Sequence, residues 1–437
     1  MMETPIPKLV TSLAVPTTIG MLVTVIYNTA DTYFVSQINK SASAAVGAVF
    51  AVMSIIQAIG FGLGMGSGSL ISRKLGAKEN QAANTYAASA FFAAVLAGAF
   101  ISLVGLLALE PMLRLLGCSD TMMPHAIPYA KYILIGAPIS CSTFVLNNTL
   151  RSQGRSIQST VGMSVGGILN VILDPIFIFG LKMGTGGAAL ATMVSQTVSF
   201  CVLLGFFLAG KSIVSIHPKY ISRKFTDYKA IVTTGLPTIC RQGLGSVAAA
   251  VLNIQAIGYG GDAAGAAITI SNKVYILVRN LVMGLGQGFQ PVAGYNYGAG
   301  NKRRAWDSFA FATKVGSVMC VIFAAVTAIF ASPIMWWFCN DAEVAKIGIQ
   351  TLYLNSAILP FLAFSTYVNQ LYQCLGFKGQ ATFLASCRQG IFFLPAVLLL
   401  PLWIGCLGVQ AAQPVGDLCT FLISIPFLIR FYKRYLK

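Results

Sequence analysis

Twelve long apolar segments run through the sequence, and they constrain its fold more than any other feature. Each exceeds the roughly 20 residues that an α-helix needs to cross the hydrocarbon core of a bilayer. They predict an all-α polytopic membrane protein with twelve transmembrane helices. The segments are residues 9–34, 44–71, 85–109, 127–150, 156–180, 185–210, 230–258, 264–294, 306–331, 345–374, 380–403 and 405–430.

Charge is scarce in this chain, and its scarcity excludes several classes of protein. Only 9% of the residues are charged, whereas a soluble domain has roughly 25%. A chain of 437 residues with so few charges would expose large apolar patches to water. Disordered, nucleic-acid-binding and ordinary cytosolic proteins are therefore excluded, and we expect the lipid bilayer as a partner and no nucleic acid.

The excess of positive charge falls on alternate loops. The net charge is +17, and one set of loops together with both termini holds 19 of the Lys and Arg residues, whereas the alternating set holds 5. Basic loops are characteristic of the cytoplasmic side of a membrane protein. We therefore expect a multi-pass protein with both termini in the cytoplasm.

The two halves of the sequence repeat each other at an offset of 220 to 222 residues. The repeat predicts two pseudo-symmetric six-helix lobes, residues 1–210 and 230–437, joined by a basic cytoplasmic linker, residues 211–229. Because six is an even number, both copies enter the membrane from the same side, a plan common in secondary transporters. The matched segments are residues 14–19 with 235–239, 64–68 with 284–288, and 75–77 with 297–299.

The chain is poor in groups for catalysis. Its two histidines, His125 and His217, lie in predicted loops, so the sequence has no His-Glu-x-x-His zinc motif. It has no Gly-x-Ser-x-Gly nucleophile motif either. The ten cysteines are scattered singly, which is typical of small core residues rather than of a disulfide framework. We therefore expect a protein that is not an enzyme.

Two carboxylates lie within predicted helices of the first lobe, each with a polar companion. Asp31 follows Tyr27 by four residues, and Asp174 follows Asn170 by four, so each pair shares a helix face. An ionised side chain at membrane depth costs roughly 2.5–3.5 kcal/mol, which makes it a functional candidate. With Thr192 on the sixth helix, these side chains would form one polar pocket if their faces converge.

This pocket would suit two occupants. Oxygen atoms from Asp31, Asn170, Asp174 and Thr192 could hold a hard cation such as Na⁺. Alternatively, two carboxylates close together in a low-dielectric environment favour the binding of a proton by one of them. The competing interpretation is structural, with the carboxylates satisfying backbone groups that are freed by prolines in the same helices.

The second lobe has no carboxylate at the positions that match Asp31 and Asp174 and carries cations instead. Lys273 and Arg279 lie in the eighth helix, and Arg241 and Arg388 lie at a similar depth in other helices of this lobe. Either these side chains extend toward the interface and cap carbonyl groups, or they face a cleft and pair with Asp417 or with an anionic part of a substrate. For Asp417 itself, packing and function are equal alternatives.

Several large side chains occupy positions compatible with a central cleft. They could bind flat apolar cations, although most such residues in membrane helices are ordinary packing. The candidates are Phe34, Met53, Tyr275, Met283, Gln287, Tyr367 and Tyr372.

Together the motifs resemble those of the multidrug and toxic compound extrusion (MATE) transporters, especially the bacterial DNA-damage-inducible-F-like and multidrug-exporter-like branch. The similarity covers nearly the whole chain. Its longest motif, residues 284–299, is long enough to be specific. The other segments that carry the resemblance are residues 27–32, 76–77, 169–175 and 187–192.

The resemblance implies a monomeric secondary active antiporter of the bacterial plasma (inner) membrane, which exports cationic or amphipathic drugs in exchange for H⁺ or Na⁺ and uses no cofactor. In such transporters the N-lobe cation site uses positions that match Tyr27, Asp31, Asn170, Asp174 and Thr192. The alternative is a lipid-linked oligosaccharide or peptidoglycan-precursor flippase of the same superfamily. Such flippases often have more basic clefts, and the cations of the second lobe fit that property. An intramembrane enzyme or receptor is a weaker rival.

Overall fold

The computed structural model describes residues 2–435, and this part of the chain is helical, with connecting loops and no β-strand. Helices dominate because a backbone in lipid must satisfy its polar groups internally. In the first half, α7 continues into a π-helical turn, Ile176–Gly180. The helices of this half are Ile6–Ser36 (α1), Lys40–Gly76 (α2), Asn80–Leu107 (α3), Leu109–Leu115 (α4), Met123–Ile135 (α5), Ala137–Ser152 (α6), Ser156–Pro175 (α7) and Gly184–Leu208 (α8).

The second half begins with a helix of 74 residues that is broken at Gly261. Gly261 has φ 66° and ψ −167°, a conformation open to glycine, and the break separates residues 225–260 from 262–298. A π-helical segment, Cys387–Phe393, joins α13 to α14. The helices of this half are Phe225–Gly298 (α9), Lys302–Ile329 (α10), Ala331–Phe338 (α11), Ala342–Leu375 (α12), Lys378–Ser386 (α13), Leu394–Ile404 (α14) and Cys406–Tyr435 (α15).

Within residues 2–435, nine helical segments are long and apolar enough to cross a membrane, and α5 with α6, bent by 49°, form a tenth if the pair is one span. The two parts of α9 are not among these segments, although each is longer than the roughly 20 residues that a crossing requires. The predicted all-α fold is confirmed. Every predicted helix end lies within five residues of an observed end.

The contacts between residues divide the chain into two compact units. The first unit is Val15–Ile239, and the second unit is Met1–Ala14 together with Cys240–Lys437. The start of α1 therefore belongs with the second half of the sequence, and the start of α9 belongs with the first half. The predicted lobes, residues 1–210 and 230–437, do not include this exchange of segments, and their boundaries stay a prediction.

Each unit has its own apolar core. In the first unit, Tyr129 and Leu134 of α5 pack with Leu203 of α8 and Ile231 of α9. In the second unit, the ring of Phe289 meets that of Tyr367 edge to face, with centroids 5.6 Å apart and an interplanar angle of 71°. Such aromatic pairs stabilise a core beyond the area that they bury.

The predicted linker packs on the first unit. The backbone N–H of Ser215 donates to Asn84 Oδ1 at 2.8 Å, and that of Ser222 donates to Ser89 Oγ at 2.8 Å. Both acceptors lie on α3. These bonds fix the linker against α3 and bring the start of α9 to α2.

Glycines allow the backbones of α2 and α9 to approach closely within the first unit. A Cβ atom on Gly66 would overlap Ile231 O and lie 2.8 Å from the backbone nitrogen of Gly235. Small residues at such crossings let helices pack in a membrane without intervening side chains. Gly66 is therefore a packing position.

Replacing Gly66 with alanine is expected to destabilise the protein by about 1–3 kcal/mol, because the added methyl group meets backbone atoms that cannot move aside. The apparent melting temperature of the purified protein in detergent measures the effect. Gly68→Ala is the matched control on the same helix, since its Cβ would lie 3.4 Å from Asn148 O and 3.5 Å from Ser152 Cβ. Equal melting temperatures for the two variants would contradict the packing role.

Candidate functional site

A pocket of about 590 Å³ lies within the first unit. Residues of α1, α2, α5, α6, α7 and α8 line it, so all of its walls come from one unit, and its volume includes space that is open to the surroundings. Its lining combines apolar side chains, such as Met53 and Phe144, with several polar ones. The polar side chains that matter below are Tyr27, Asp31, Asn170, Thr192 and Gln196.

Helix α1 brings Tyr27 and Asp31 to the pocket. The two residues are four apart, so they lie on the same helix face, and both line the pocket. Helix α7 approaches this face at Gly167, where a Cβ atom would lie 3.1 Å from Tyr27 Cδ1. Asp31 Oδ1 is buried and has no hydrogen-bond partner in the part of the chain that the structure describes, so the carboxylate is available to a ligand.

Helices α7 and α8 supply a hydrogen-bonded group of three side chains. Asn170 Nδ2 donates to Asp174 Oδ1 at 3.2 Å and to Thr192 Oγ1 at 3.4 Å. Thr192 in turn donates to the carbonyl oxygen of Ala188 at 3.1 Å. Asp174 is fully buried, and neither its Oδ2 nor Asn170 Oδ1 has a hydrogen-bond partner among the described residues. The amide therefore holds the carboxylate in place while leaving acceptor oxygens open.

Asp31 lies close enough to Asp174 for the two carboxylates to interact electrostatically. All five residues predicted for the cation site thus lie in one neighbourhood, four of them in the pocket lining and Asp174 directly behind Asn170. Their role stays a prediction. The donor set consists of carboxylate, amide and hydroxyl oxygens, which fits a proton or a hard cation such as Na⁺.

Sequence reasoning missed several polar residues of this neighbourhood, and two of them lie in informative positions. Tyr129 on α5 is buried, is close enough to interact electrostatically with both Asp31 and Asp174, and donates from its hydroxyl to Met53 Sδ at 3.5 Å. Gln196 on α8 lines the pocket, and its Oε1 is buried without a partner within residues 2–435. Gln196 follows Thr192 by four residues, the same spacing that identified the other pairs, so it could have been found.

The second unit contains a buried polar group centred on Asp417. Arg388 Nε donates to Asp417 Oδ1 at 2.8 Å, and Gln413 Nε2 donates to the same oxygen at 3.1 Å. The Tyr275 hydroxyl donates to Asp417 Oδ2 and accepts from Arg388 Nη2. Two alternatives were open for the cations, capping of carbonyl groups or pairing with an anion. For Arg388, the structure shows an ion pair with Asp417.

The other predicted cations of the second unit are in different surroundings. Lys273 is exposed. Arg279 is half-buried and interacts electrostatically with Arg388 and Asp417. Arg241 donates from Nη1 to Asn369 Oδ1 at 3.3 Å. Lys273 is therefore separate from the group that contains the arginines.

The candidates for substrate contact are also spread over different surroundings. Met53 lines the pocket of the first unit, and Phe34 packs against the core of that unit. In the second unit, Tyr275 is bonded to Asp417, and Met283 Sδ accepts from Gln370 Nε2 at 3.5 Å.

Three further candidates are enclosed in the second unit. The Tyr367 hydroxyl donates to Val282 O at 2.9 Å, and the Tyr372 hydroxyl donates to Phe427 O at 2.8 Å. Gln287 is buried as well. Both tyrosines thus use their hydroxyls to bind backbone carbonyls, which is how buried packing residues satisfy their polar atoms.

The fold and the pocket define a polytopic helical membrane protein with a polar site among the helices of one unit. The MatE family model matches the chain twice, over residues 16–176 and 237–397. The chain therefore belongs to the MATE family of transporters. The double match also places the two copies of the repeat at an offset of 221 residues.

Curated relatives are similar to the chain over nearly its whole length. A FAD transporter of Shewanella oneidensis is 26% identical over 427 residues, which covers 96% of this chain and 93% of that protein. The multidrug export protein MepA of Staphylococcus aureus is 26% identical over 432 residues, which covers 98% of this chain and 95% of that protein.

Solved structures share the fold throughout. An outward-facing multidrug resistance MATE transporter of the MOP superfamily has a TM-score of 0.93 at 27% identity and covers 98% of this chain and 97% of its own. A MOP superfamily transporter from Pyrococcus furiosus, described by the reverse polarity of its binding pocket, has a TM-score of 0.93 at 26% identity, with 99% and 97% covered. The chain is therefore a transporter, not an enzyme, with twelve transmembrane helices in two six-helix lobes.

Proposed function

We propose that this protein is a secondary active antiporter that exports cationic or amphipathic organic compounds in exchange for H⁺ or Na⁺. The observation that carries the proposal is the pair of buried carboxylates in the first unit, where Asp31 Oδ1 and Asp174 Oδ2 both lack hydrogen-bond partners among residues 2–435. A buried charge is costly unless it is paired. A coupling cation bound at these oxygens would supply the missing partner.

The exchange follows from competition at this site. Without the coupling ion, the two carboxylates attract an organic cation into a pocket whose walls include Met53 and Phe144. Binding of H⁺ or Na⁺ neutralises the carboxylates and weakens that attraction. A transporter needs this difference in affinity between its two states, not tight binding in one of them. The multidrug export proteins among the relatives support an organic substrate.

Transport by the purified protein in liposomes, with each ion gradient imposed separately, tests the proposal. We expect ethidium to move against its own gradient when one of the two ion gradients is present, and this movement to stop when an ionophore collapses that gradient. The same ethidium flux with and without both gradients would contradict coupled antiport.

Export of an anionic amphipathic molecule is the second candidate, and the arginines of the second unit favour it. Arg388, Arg279 and Arg241 interact electrostatically with one another. The relative described as a FAD transporter and the flippase alternative both point to substrates that carry phosphate. Moving FAD instead of ethidium in the same liposome assay would favour this candidate.

We also propose that both termini lie in the cytoplasm of a bacterial cell and that the protein acts as a monomer in the plasma membrane. The support is the distribution of Lys and Arg, with 19 in one set of loops and termini and 5 in the other, read by the positive-inside rule. A reporter that is active only in the cytoplasm, fused after residue 437, checks this orientation.

A further inference from the structure

The buried polar group of the second unit occupies the positions that match the pocket of the first unit. At the offset of 221 residues given by the double family match, Gln413 corresponds to Thr192 and Asp417 to Gln196. Arg388 corresponds to Gly167, which lies beside Tyr27 in the first unit. The second unit thus has a polar group at part of the equivalent site, but Leu252 and Pro395 stand at the positions that match Asp31 and Asp174.

Both oxygens of the buried carboxylate of this site accept hydrogen bonds. Asp417 is 3% exposed, and its Oδ1 accepts from both Arg388 and Gln413. Its Oδ2 accepts from Tyr275. The charge of Asp417 is therefore paired with that of Arg388.

Arg279 adds a positive charge outside the ion pair of Arg388 and Asp417. It follows Tyr275 by four residues on α9, so both side chains lie on one helix face. Within residues 2–435, no acidic side chain lies at ion-pair distance from Arg279. Asp417 attracts Arg279 from a longer distance, whereas Arg388 and Arg241 repel it.

A positively charged side chain in the middle of a membrane helix is stabilised by an anionic partner. Arg279 lies near the middle of residues 262–298, and ionisable side chains at such depth are costly and mark substrate pathways. A guanidinium group presents a planar set of N–H donors that matches phosphate and carboxylate oxygens. Asp417 also fixes the orientation of the Arg388 side chain, because its Oδ1 accepts a hydrogen bond from Nε of the guanidinium group.

We propose that Arg279, together with Arg241 and Arg388, forms a binding site in the second unit for the oxyanion group, such as a phosphate, of an amphipathic transported molecule. The proposal rests on the second candidate for the transport function, export of an anionic amphipathic molecule, and names the residues that bind the charged group of that cargo. It assigns the two units different tasks. The first unit binds the coupling cation, and the second unit binds the anionic group of the cargo.

Equilibrium binding of two flavins to the purified protein tests the site. FMN and riboflavin share one ring system and differ in a phosphate group, and quenching of flavin fluorescence reports binding of either. We expect FMN to bind more tightly than riboflavin. Arg279→Gln should weaken FMN binding by about tenfold or more, as expected for loss of a charged hydrogen bond, and leave riboflavin binding unchanged. Arg279→Lys should give an intermediate loss.

Lys273→Gln is the matched control, because Lys273 is an exposed cation on the same helix and its loss changes the net charge equally. FMN should bind this variant as it binds the natural protein. The proposal is overturned if FMN and riboflavin bind equally well, or if Arg279→Gln and Lys273→Gln have the same effect.

Lipid headgroups are the other source of phosphate, and nanodiscs of two compositions separate the sources. Equal FMN binding in phosphatidylcholine and phosphatidylglycerol discs supports a cargo site. Loss of FMN binding in phosphatidylglycerol discs alone would assign the arginines to lipid and overturn the proposal. No ion gradient is present in these assays, so their result does not depend on whether the first unit couples transport to H⁺ or Na⁺.

Discussion

Replacing Asp31 with asparagine is expected to reduce ion-driven efflux to the background level of protein-free liposomes. Asparagine keeps the size of the side chain but cannot exchange a proton or neutralise a cation. The pocket would then lose the charge whose neutralisation alternates with substrate binding. Ethidium transport by Asp31→Asn in liposomes, under an imposed pH or Na⁺ gradient, measures the effect.

The same substitution should not weaken the fold. No residue that the structure describes donates a hydrogen bond to Asp31 Oδ1, and an ionised side chain at membrane depth costs roughly 2.5–3.5 kcal/mol. Removing the charge should leave the apparent melting temperature unchanged or raise it. If Asp31 instead satisfied freed backbone groups, the melting temperature would fall along with transport, so the two readouts separate function from structure.

Asp120→Asn is the matched control for this experiment. Asp120 is in the same unit, and its side chain is 86% exposed in an ion pair with Arg114 at 3.0 Å. Exposed pairs of this kind contribute about 0–1 kcal/mol, so transport and stability should both stay near those of the natural protein. Full ion-driven efflux by Asp31→Asn would show that the carboxylate does not couple transport.

Replacing Arg388 with methionine is expected to destabilise the second unit by about 3–5 kcal/mol, because it leaves the charge of Asp417 buried without its partner. The Arg388 side chain is 11% exposed and that of Asp417 3%, with Nε and Oδ1 2.8 Å apart. Thermal unfolding in detergent, measured as the apparent melting temperature or as the half-life at a fixed temperature, gives the effect.

Two further variants make this result specific. Arg388→Met combined with Asp417→Asn removes both charges and should recover much of the stability, since the coupling between contacting residues is measured by such a cycle. Arg114→Met breaks an exposed pair with side chains 59% and 86% exposed and should change stability by less than about 1 kcal/mol. Equal losses for Arg388→Met and Arg114→Met would refute a buried ion pair.

The helices could be predicted from the sequence because the membrane imposes a length and a composition on each of them. The long apolar runs gave helix ends within five residues of those observed. The break at Gly261 was also anticipated, since residues 258 and 264 bounded two separate runs. What could not be predicted is the exchange of segments between the units, because the contacts that decide it join residues far apart in the chain.

For the candidate sites too, the sequence predicts contacts within one helix but not contacts between helices. Four-residue spacing placed Tyr27 with Asp31 and Asn170 with Asp174, because helix geometry fixes which side chains share a face. It could not show that Tyr129 lies close to both carboxylates, since that proximity arises from the packing of α5 beside other helices. For the same reason, Arg388 could not be assigned to Asp417 before the contact between the π-helical segment and α15 was known.

The division of the chain into two units has a consequence for its biosynthesis. Residues 2–14 are synthesised before the first unit, yet they belong to the second unit, most of which is synthesised after the first. Residues 225–239 complete the first unit only after residues 211–224 have been made. A Cβ on Gly288 would lie 2.6 Å from Ala14 Cβ, which shows how closely residues 2–14 pack with a segment made much later. Each half of the gene thus encodes a part that the other half needs, and neither half is expected to mature as a self-sufficient protein.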